Sequence, residues 1–309
     1  MAARFRAALR SAEDEPTGDV VHEPAGSDSI DEQDAATLQW QALLEGSDPS
    51  LRKLRRLWRH LPAAPRCKVC AAPFQGLGGI ATRVIMHGRA PDNLLLCNMC
   101  FGTLAKRPGG AEIDVSVVFA DIRGSTGLAE RLGAERFRRL LQRFYVVASA
   151  AVERSDGIVD KLLGDGLMAL FIPVIAGENH RLRAIEAARR VVLDTENSEL
   201  PSAGARVGVG VHSGRAFVGV LGSGTKLDFS ALGDAVNAAA RLGAVAAGGE
   251  LLVSGEAWRG AGLAISDRTV SERGIPGREG RLETVALSGR ELAEDSTFRP
   301  LAAPATIGR

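Results

Sequence analysis

Cysteine is scarce, with four in 309 residues, all confined to one segment as Cys67-x2-Cys70 and Cys97-x2-Cys100. In a reducing compartment, two such pairs suggest a metal site before disulfides. Long apolar runs are missing, and no stretch reaches the ~18–20 residues that cross a bilayer. The opening MAARFRAALRSAEDE lacks the extended apolar core of a secretory signal, and the acids after its arginines argue against a transit peptide. The expectation is a soluble, cytoplasmic chain without a membrane span. An excess of either charge is also missing: 38 Lys and Arg against 37 Asp and Glu leave a net +1. That excludes a globally basic nucleic-acid binder, though not a local basic patch. There is no internal repeat, no P-loop and no dinucleotide-binding fingerprint.

What is present divides into unequal parts. Residues 1–35 are rich in Ala, Glu, Asp, Gly and Ser and read as a disordered N-terminus. Residues 36–61 form a helical segment broken at Gly46-Ser47-Asp48-Pro49. Its second half, LRKLRRLWRHL, puts Leu51, Leu54, Trp58 and Leu61 on one side and its basic residues elsewhere, as a solvated helix face does. Residues 62–106 hold the four cysteines, and residues 289–309 read as a flexible tail.

Between them, residues 112–288 alternate helical and strand patterns. Asp114–Ala120 reads as a buried strand and Ala134–Glu153 as a helix. Ile158–Leu162 and Leu167–Phe171 read as a hairpin around Asp165-Gly166, and Arg206–His212 as a strictly alternating strand. Hairpins mixed with helices predict an α+β sandwich, with a mixed, mainly antiparallel sheet flanked by helices. This core is expected to fold from Ile113 onward without the cysteine module.

Three stretches carry the chemistry: VVFADIRGST at 117–126, DKLLGDGLMALF at 160–171 and FSALGDAVNAAAR at 229–241. The first two each place an aspartate, Asp121 and Asp165, just beyond a strand. The third opens a helix with Asn237 and Arg241 on one face, since residues four apart lie one above the other. Two carboxylates at strand ends can hold two hard divalent cations. An arginine nearby can meet a crowded anionic transition state. The combination points to chemistry on a nucleoside triphosphate.

Together with the glycine-rich GVHSGRAFVGVLGS at 210–223, these stretches resemble the catalytic domain of class III nucleotidyl cyclases, the adenylate and guanylate cyclases. The resemblance implies attack of the ribose 3′-oxygen on the α-phosphorus of the triphosphate, with pyrophosphate leaving. It implies two Mg²⁺ or Mn²⁺ ions held by Asp121, Asp165 and the backbone carbonyl of Ile122. It implies that Asn237 orients the ribose and that Arg241 meets the charge developing on the α-phosphate. Lys161 and Ser230 fall where the family reads the base. An ammonium can donate to adenine N1, and a hydroxyl can accept from the 6-amino group, so ATP is the expected substrate. Serine there also resembles the subgroup that includes bicarbonate-responsive adenylate cyclases. The family's lysine for the terminal phosphates is missing from RTVSERGIPGREGRLETVAL, which leaves Arg273 or Arg278 for that contact. The resemblance further implies a homodimer with metal aspartates from one chain and base-reading residues from its twin.

Four thiolates at Cys67, Cys70, Cys97 and Cys100 suit tetrahedral zinc, with an iron–sulfur cluster as the alternative. Such a module ahead of a cyclase domain suggests a regulatory or dimer-bracing role. Three other functional readings remain open: a guanylate cyclase, a catalytically silent nucleotide or bicarbonate sensor, and a zinc-ribbon nucleic-acid binder using the 51–60 helix. His212, beside Ser213-Gly214, is given no catalytic role.

Overall fold

The structure is a computed structural model that describes residues 27–60, 65–67, 69–84, 87–90, 96–106, 109–223, 226–263, 270–274 and 281–294. It opens with helices α1 (Ser27–Leu44) and α2 (Pro49–Arg59). Pro49 begins α2, where its missing N–H leaves no bond unmade. Asp48 caps that helix by accepting from the Leu51 amide at 2.7 Å. Helix α1 starts inside the stretch expected to be disordered. The cysteine segment carries α3 (Gly76–Val84) and α4 (Asn98–Lys106).

Strand β1 (Gly109–Ile122) leads into α5 (Ser125–Leu132), α6 (Ala134–Arg154), β2 (Ile158–Leu162), β3 (Gly166–Phe171), α7 (Pro173–Ala176) and α8 (His180–Glu196). Then come β4 (Val207–Ser223), β5 (Lys226–Leu232), α9 (Asp234–Val245), β6 (Glu250–Ser254), α10 (Gly255–Gly260), β7 (Val270–Gly274), β8 (Arg281–Ser288) and α11 (Gly289–Glu294). The expected hairpin is present as β2 and β3. The strand expected over Arg206–His212 runs on to Ser223, because β1 pairs with it from Ile122↔Val207 to Gly109↔Val220 and β5 pairs with it from Phe217 to Ser223. The tail reading also needs correction at its start. Leu292 of α11 is wholly buried, so the apolar core extends past Leu287.

The sheet order is β2-β3-β1-β4-β6-β8-β7, with β5 folded onto the far half of β4. Every pair is antiparallel except β4 with β6. This is the mixed, mainly antiparallel α+β architecture expected from the sequence.

Side chains alternate across β1, and each set meets a different layer. Val118, Ala120 and Ile122 pack with Phe144 of α6 and Ile185 and Val191 of α8. Ala111, Ile113, Val115 and Val117 face the opposite way, toward Ala235 and Ala239 of α9. That second layer also takes in Trp40, Leu44, Leu51, Trp58, Val69, Phe74 and Leu96. The N-terminal segment therefore shares one apolar core with the sheet, and the structure departs from the expectation of a core complete without it. Among the described residues, no helix is long and apolar enough to cross a membrane.

Candidate active site

Asp121 is the penultimate residue of β1, on the face of Val117 and opposite Gly166, the first residue of β3. Asp165 precedes Gly166 in the turn from β2, whose Gly164 has φ +72°, a left-handed conformation natural to glycine. The backbone locks the two strand ends together, since the Ile122 amide donates to the Asp165 carbonyl at 3.0 Å. Ser125 donates to the Asp165 carboxylate, and the Tyr145 hydroxyl of α6 donates to the Gly164 carbonyl. The two carboxylates thus sit side by side on a braced turn.

Their electrostatics are unbalanced. Burial pushes the Asp121 carboxyl up to about 6 and the Asp165 charge pushes the same way, while Arg123 opposes both. Arg123 pairs with Asp121 at 2.7 Å and also donates to the Ala244 carbonyl of α9 at 2.8 Å. A half-buried carboxylate pair of this kind is a hard-oxygen donor set, and a divalent cation would relieve its repulsion. The residues fit such an ion.

Helix α9 lies unusually close to the sheet. A Cβ on Gly210 of β4 would fall 2.1 Å from the Gly243 amide nitrogen, and one on Gly243 would meet the Phe119 Cβ at 2.9 Å. Glycine at both positions allows the approach. On α9, Asn237 is exposed and Arg241 is half-buried. Among the described residues, neither side chain is engaged in a hydrogen bond or ion pair. They remain available to a ligand.

A second polar cluster gathers Lys161 of β2 and Ser230 of β5, which are 69 positions apart. The Lys161 ammonium donates to the Ser230 hydroxyl at 2.7 Å. It also pairs with Asp228 at 2.8 Å and with Asp160 at 3.4 Å. Ser230 in turn donates to Asp160 at 2.7 Å. Although burial works against its charge, the hydrogen bond to Asp228 and the two carboxylates raise the Lys161 pKa.

Arg273, on the edge strand β7, is paired with Glu250 at 3.2 Å. Arg278 lies outside the described residues. His212 is buried and hydrogen-bonded to Ser254 at 2.8 Å, a structural placement between β4 and β6.

The sequence reading missed Arg123, Tyr145, Asp160 and Asp228. Arg123 and Asp160 stand inside the quoted motifs, beside residues given roles, so their positions were a signal. Asp228 directly precedes the third motif, two residues before Ser230 on β5; Tyr145 carries no such signal, because helix α6 brings it in from a distance.

The four cysteine sulfurs lie within 4.8 Å of one another. The Cys70 and Cys97 sulfurs are 3.7 Å apart, close to the ~3.8 Å edge of a tetrahedron with metal–sulfur bonds of about 2.3 Å. Hydrogen bonding from Cys100 holds Cys67 and Cys97 below the ordinary thiol range, and the same contacts push Cys100 up. Backbone amides add to this, with Cys97 N–H donating to Cys67 at 3.3 Å and Cys100 N–H to Cys97 at 3.4 Å. The set fits a thiophilic metal.

Comparison with known proteins bears on the catalytic part. The family profile described as the adenylate and guanylate cyclase catalytic domain matches residues 111–289. The guanylyl cyclase Cya2 superposes with a TM-score of 0.54 at 20% identity, over 58% of this chain and 93% of its own. The adenylyl cyclase CyaB from P. aeruginosa superposes at 0.51 with 25% identity, over 57% and 95%. Among curated relatives, the uncharacterized Mycobacterium tuberculosis protein Rv1320c is 36% identical over 159 residues, which is 50% of this chain and 27% of that protein. Rv1319c is 34% identical over 138 residues, covering 43% and 24%. The chain spans about a quarter of the length of these relatives.

Proposed function

The chain belongs to the adenylate and guanylate cyclase catalytic-domain family, and from that premise we propose that it is an adenylate cyclase, converting ATP to 3′,5′-cyclic AMP and pyrophosphate. Nucleotide cyclase chemistry is common to both branches of the family, and the choice of base rests on one observation. Lys161 and Ser230, from separate strands, form a contact of 2.7 Å within one polar cluster. Adenine presents an acceptor at N1 and a donor at the 6-amino group, whereas guanine presents N1–H and an oxo group. A cationic donor beside a hydroxyl matches the adenine edge. It offers no acceptor of matching strength to guanine N1–H.

In this reading, Asp121, Asp165 and the Ile122 carbonyl hold two Mg²⁺ or Mn²⁺ ions. Bound there, the cations would lower the pKa of the 3′-hydroxyl and offset the charge of the triphosphate. Asn237 orients the ribose and Arg241 meets the charge growing on the α-phosphate. Arg273, once it leaves Glu250, or Arg278 meets the terminal phosphates. Two copies of the chain build each site, with carboxylates from one protomer and Lys161, Ser230, Asn237 and Arg241 from its partner. The cysteine cluster holds zinc and braces the shared apolar layer. The unengaged side chains of Asn237 and Arg241 favour a working enzyme over a silent sensor.

The test is incubation of the purified protein with Mn²⁺ and either ATP or GTP, followed by identification of the cyclic product. Cyclic AMP as the dominant product is expected, and equal turnover of the two nucleotides would remove the adenylate reading.

A further inference from the structure

Strand β2 does not pair regularly with β3. Val159 lies opposite Ala169 and Lys161 opposite Met168, so Asp160 is the extra residue of a β-bulge. In a regular strand Asp160 and Lys161 would point to opposite faces. The bulge turns both toward the same partner, the Ser230 hydroxyl on β5, each at 2.7 Å.

A lone serine hydroxyl is ambivalent, with one proton to give and two lone pairs to receive. Next to a purine it could accept from a 6-amino group or donate to a 6-oxo group. Asp160 removes that choice. Its carboxylate is an acceptor with no proton to offer, so the Ser230 proton points to it. Lys161 has only protons, so it takes a lone pair of Ser230 or, turned outward to a base, takes nothing. In either position the serine has no proton left for a ligand.

Neutralising Lys161 is a weaker account of Asp160. Asp228 already pairs with that lysine at 2.8 Å, whereas the Asp160 contact is 3.4 Å. The Asp160 side chain is fully buried, and at 2.7 Å its bond to Ser230 is shorter than its contact with Lys161. Burial pushes its carboxyl upward, while Ser230 and Lys161 pull the other way.

We infer that Asp160 is a positioning residue for base selectivity: by holding the proton of Ser230, it makes that hydroxyl an acceptor only, which favours a 6-aminopurine triphosphate over a 6-oxopurine triphosphate. This deepens the proposed adenylate cyclase function and rests on it.

The test compares kcat/KM for ATP, GTP and purine riboside triphosphate, which lacks any group at C6, in wild type, Asp160→Ala and the nearly isosteric Asp160→Asn. Asp160→Ala is expected to lower kcat/KM for ATP by about tenfold, to leave or raise that for GTP, and to change purine riboside triphosphate by less than about twofold. Asp160→Asn should fall between, because an amide can either accept from the serine or donate to it, and it serves if the alanine variant does not fold. An unchanged ATP-to-GTP ratio in both variants overturns the inference. So does an equal fall for ATP and purine riboside triphosphate, which is what a purely structural role produces. The wild-type ratio judges the adenylate reading separately. If wild type prefers GTP and the ratio still shifts in the variants, the reading fails and the role of Asp160 stands.

Discussion

Two polar clusters flank the same hairpin, and they are built in opposite ways. At its tip, Asp121 and Asp165 lie side by side, with burial and mutual repulsion working against their charges and Arg123 as the cation paired with Asp121. On its first strand, Lys161, Ser230, Asp160 and Asp228 satisfy one another, with each short contact matching a donor to an acceptor. The tip is an electrostatic imbalance that a divalent cation would relieve. The strand cluster is complete before any ligand arrives, so it can discriminate between ligands by what it refuses to donate. One cluster is suited to attract positive charge, the other to present a fixed hydrogen-bonding pattern.

The largest effect should come from disturbing that imbalance. Asp165→Ala is expected to lower kcat by about a thousandfold or more, equivalent to about 4 kcal/mol in the barrier. Initial rates at ordinary Mg²⁺ measure this, and wild-type-like activity would show that the pair is not the metal site. Arg241→Ala should be similarly inactive alone. Mixed so that subunits exchange, the two variants should recover about a quarter of wild-type activity, because half the random dimers carry one intact site of two. No recovery despite exchange would mean that each site is built within a single chain.

Behind the strand cluster lies the apolar layer shared with the cysteine segment, which gives a way to disturb one cluster and not the other. Leu44, Val69 and Leu96 line a small internal cavity with Ile158 and Phe229, the neighbours of the Asp160 bulge and of Ser230. Cys97→Ser is expected to lose about one zinc per chain by elemental analysis. Stoichiometric iron with a visible absorption band would identify a cluster instead. Leu44→Ala, at a position 1% exposed, should lower unfolding stability by about 3 kcal/mol, seen as a lower denaturant midpoint. An unchanged midpoint would separate the N-terminal helices from the catalytic core.

The smallest effect concerns pH. With the Asp121 carboxyl raised to about 6, the ion-free site holds a proton below that value and a cation must displace it. Mn²⁺ affinity should therefore fall by about tenfold per unit as pH drops below about 6, and level off above it. Calorimetric titration at pH 5 and pH 7.5 reads this directly. The Lys161 ammonium, held above its ordinary range, should not titrate in that window.

Much of this was legible in the chain. Alternation along 114–120 reports a strand with two buried faces, and the structure fills one with α6 and α8 and the other with α9. The Gly164-Asp165-Gly166 turn reports a hairpin, and β2 and β3 form it. The Gly46-Ser47-Asp48-Pro49 stretch reports a break between two helical segments, and α1 and α2 flank it. Local chemistry carries all three, since turns, caps and periodicity act over a few residues. The long reach of β4 was less legible, because glycine-rich sequence is a turn signal until a partner strand pairs with it.

The sequence by itself determined which residue types were available: two carboxylates at strand ends, Asn237 and Arg241 four apart on a helix, and four thiols in two close pairs. It also determined the strand and helix periods that carry them. Only the tertiary structure decided that Asp160 and Lys161 point the same way, because a bulge is a mismatch between two strands and belongs to neither. Only the tertiary structure decided that Trp40 and Leu44 complete the core under β1, because burial is a relation between distant surfaces and no local pattern encodes the partner.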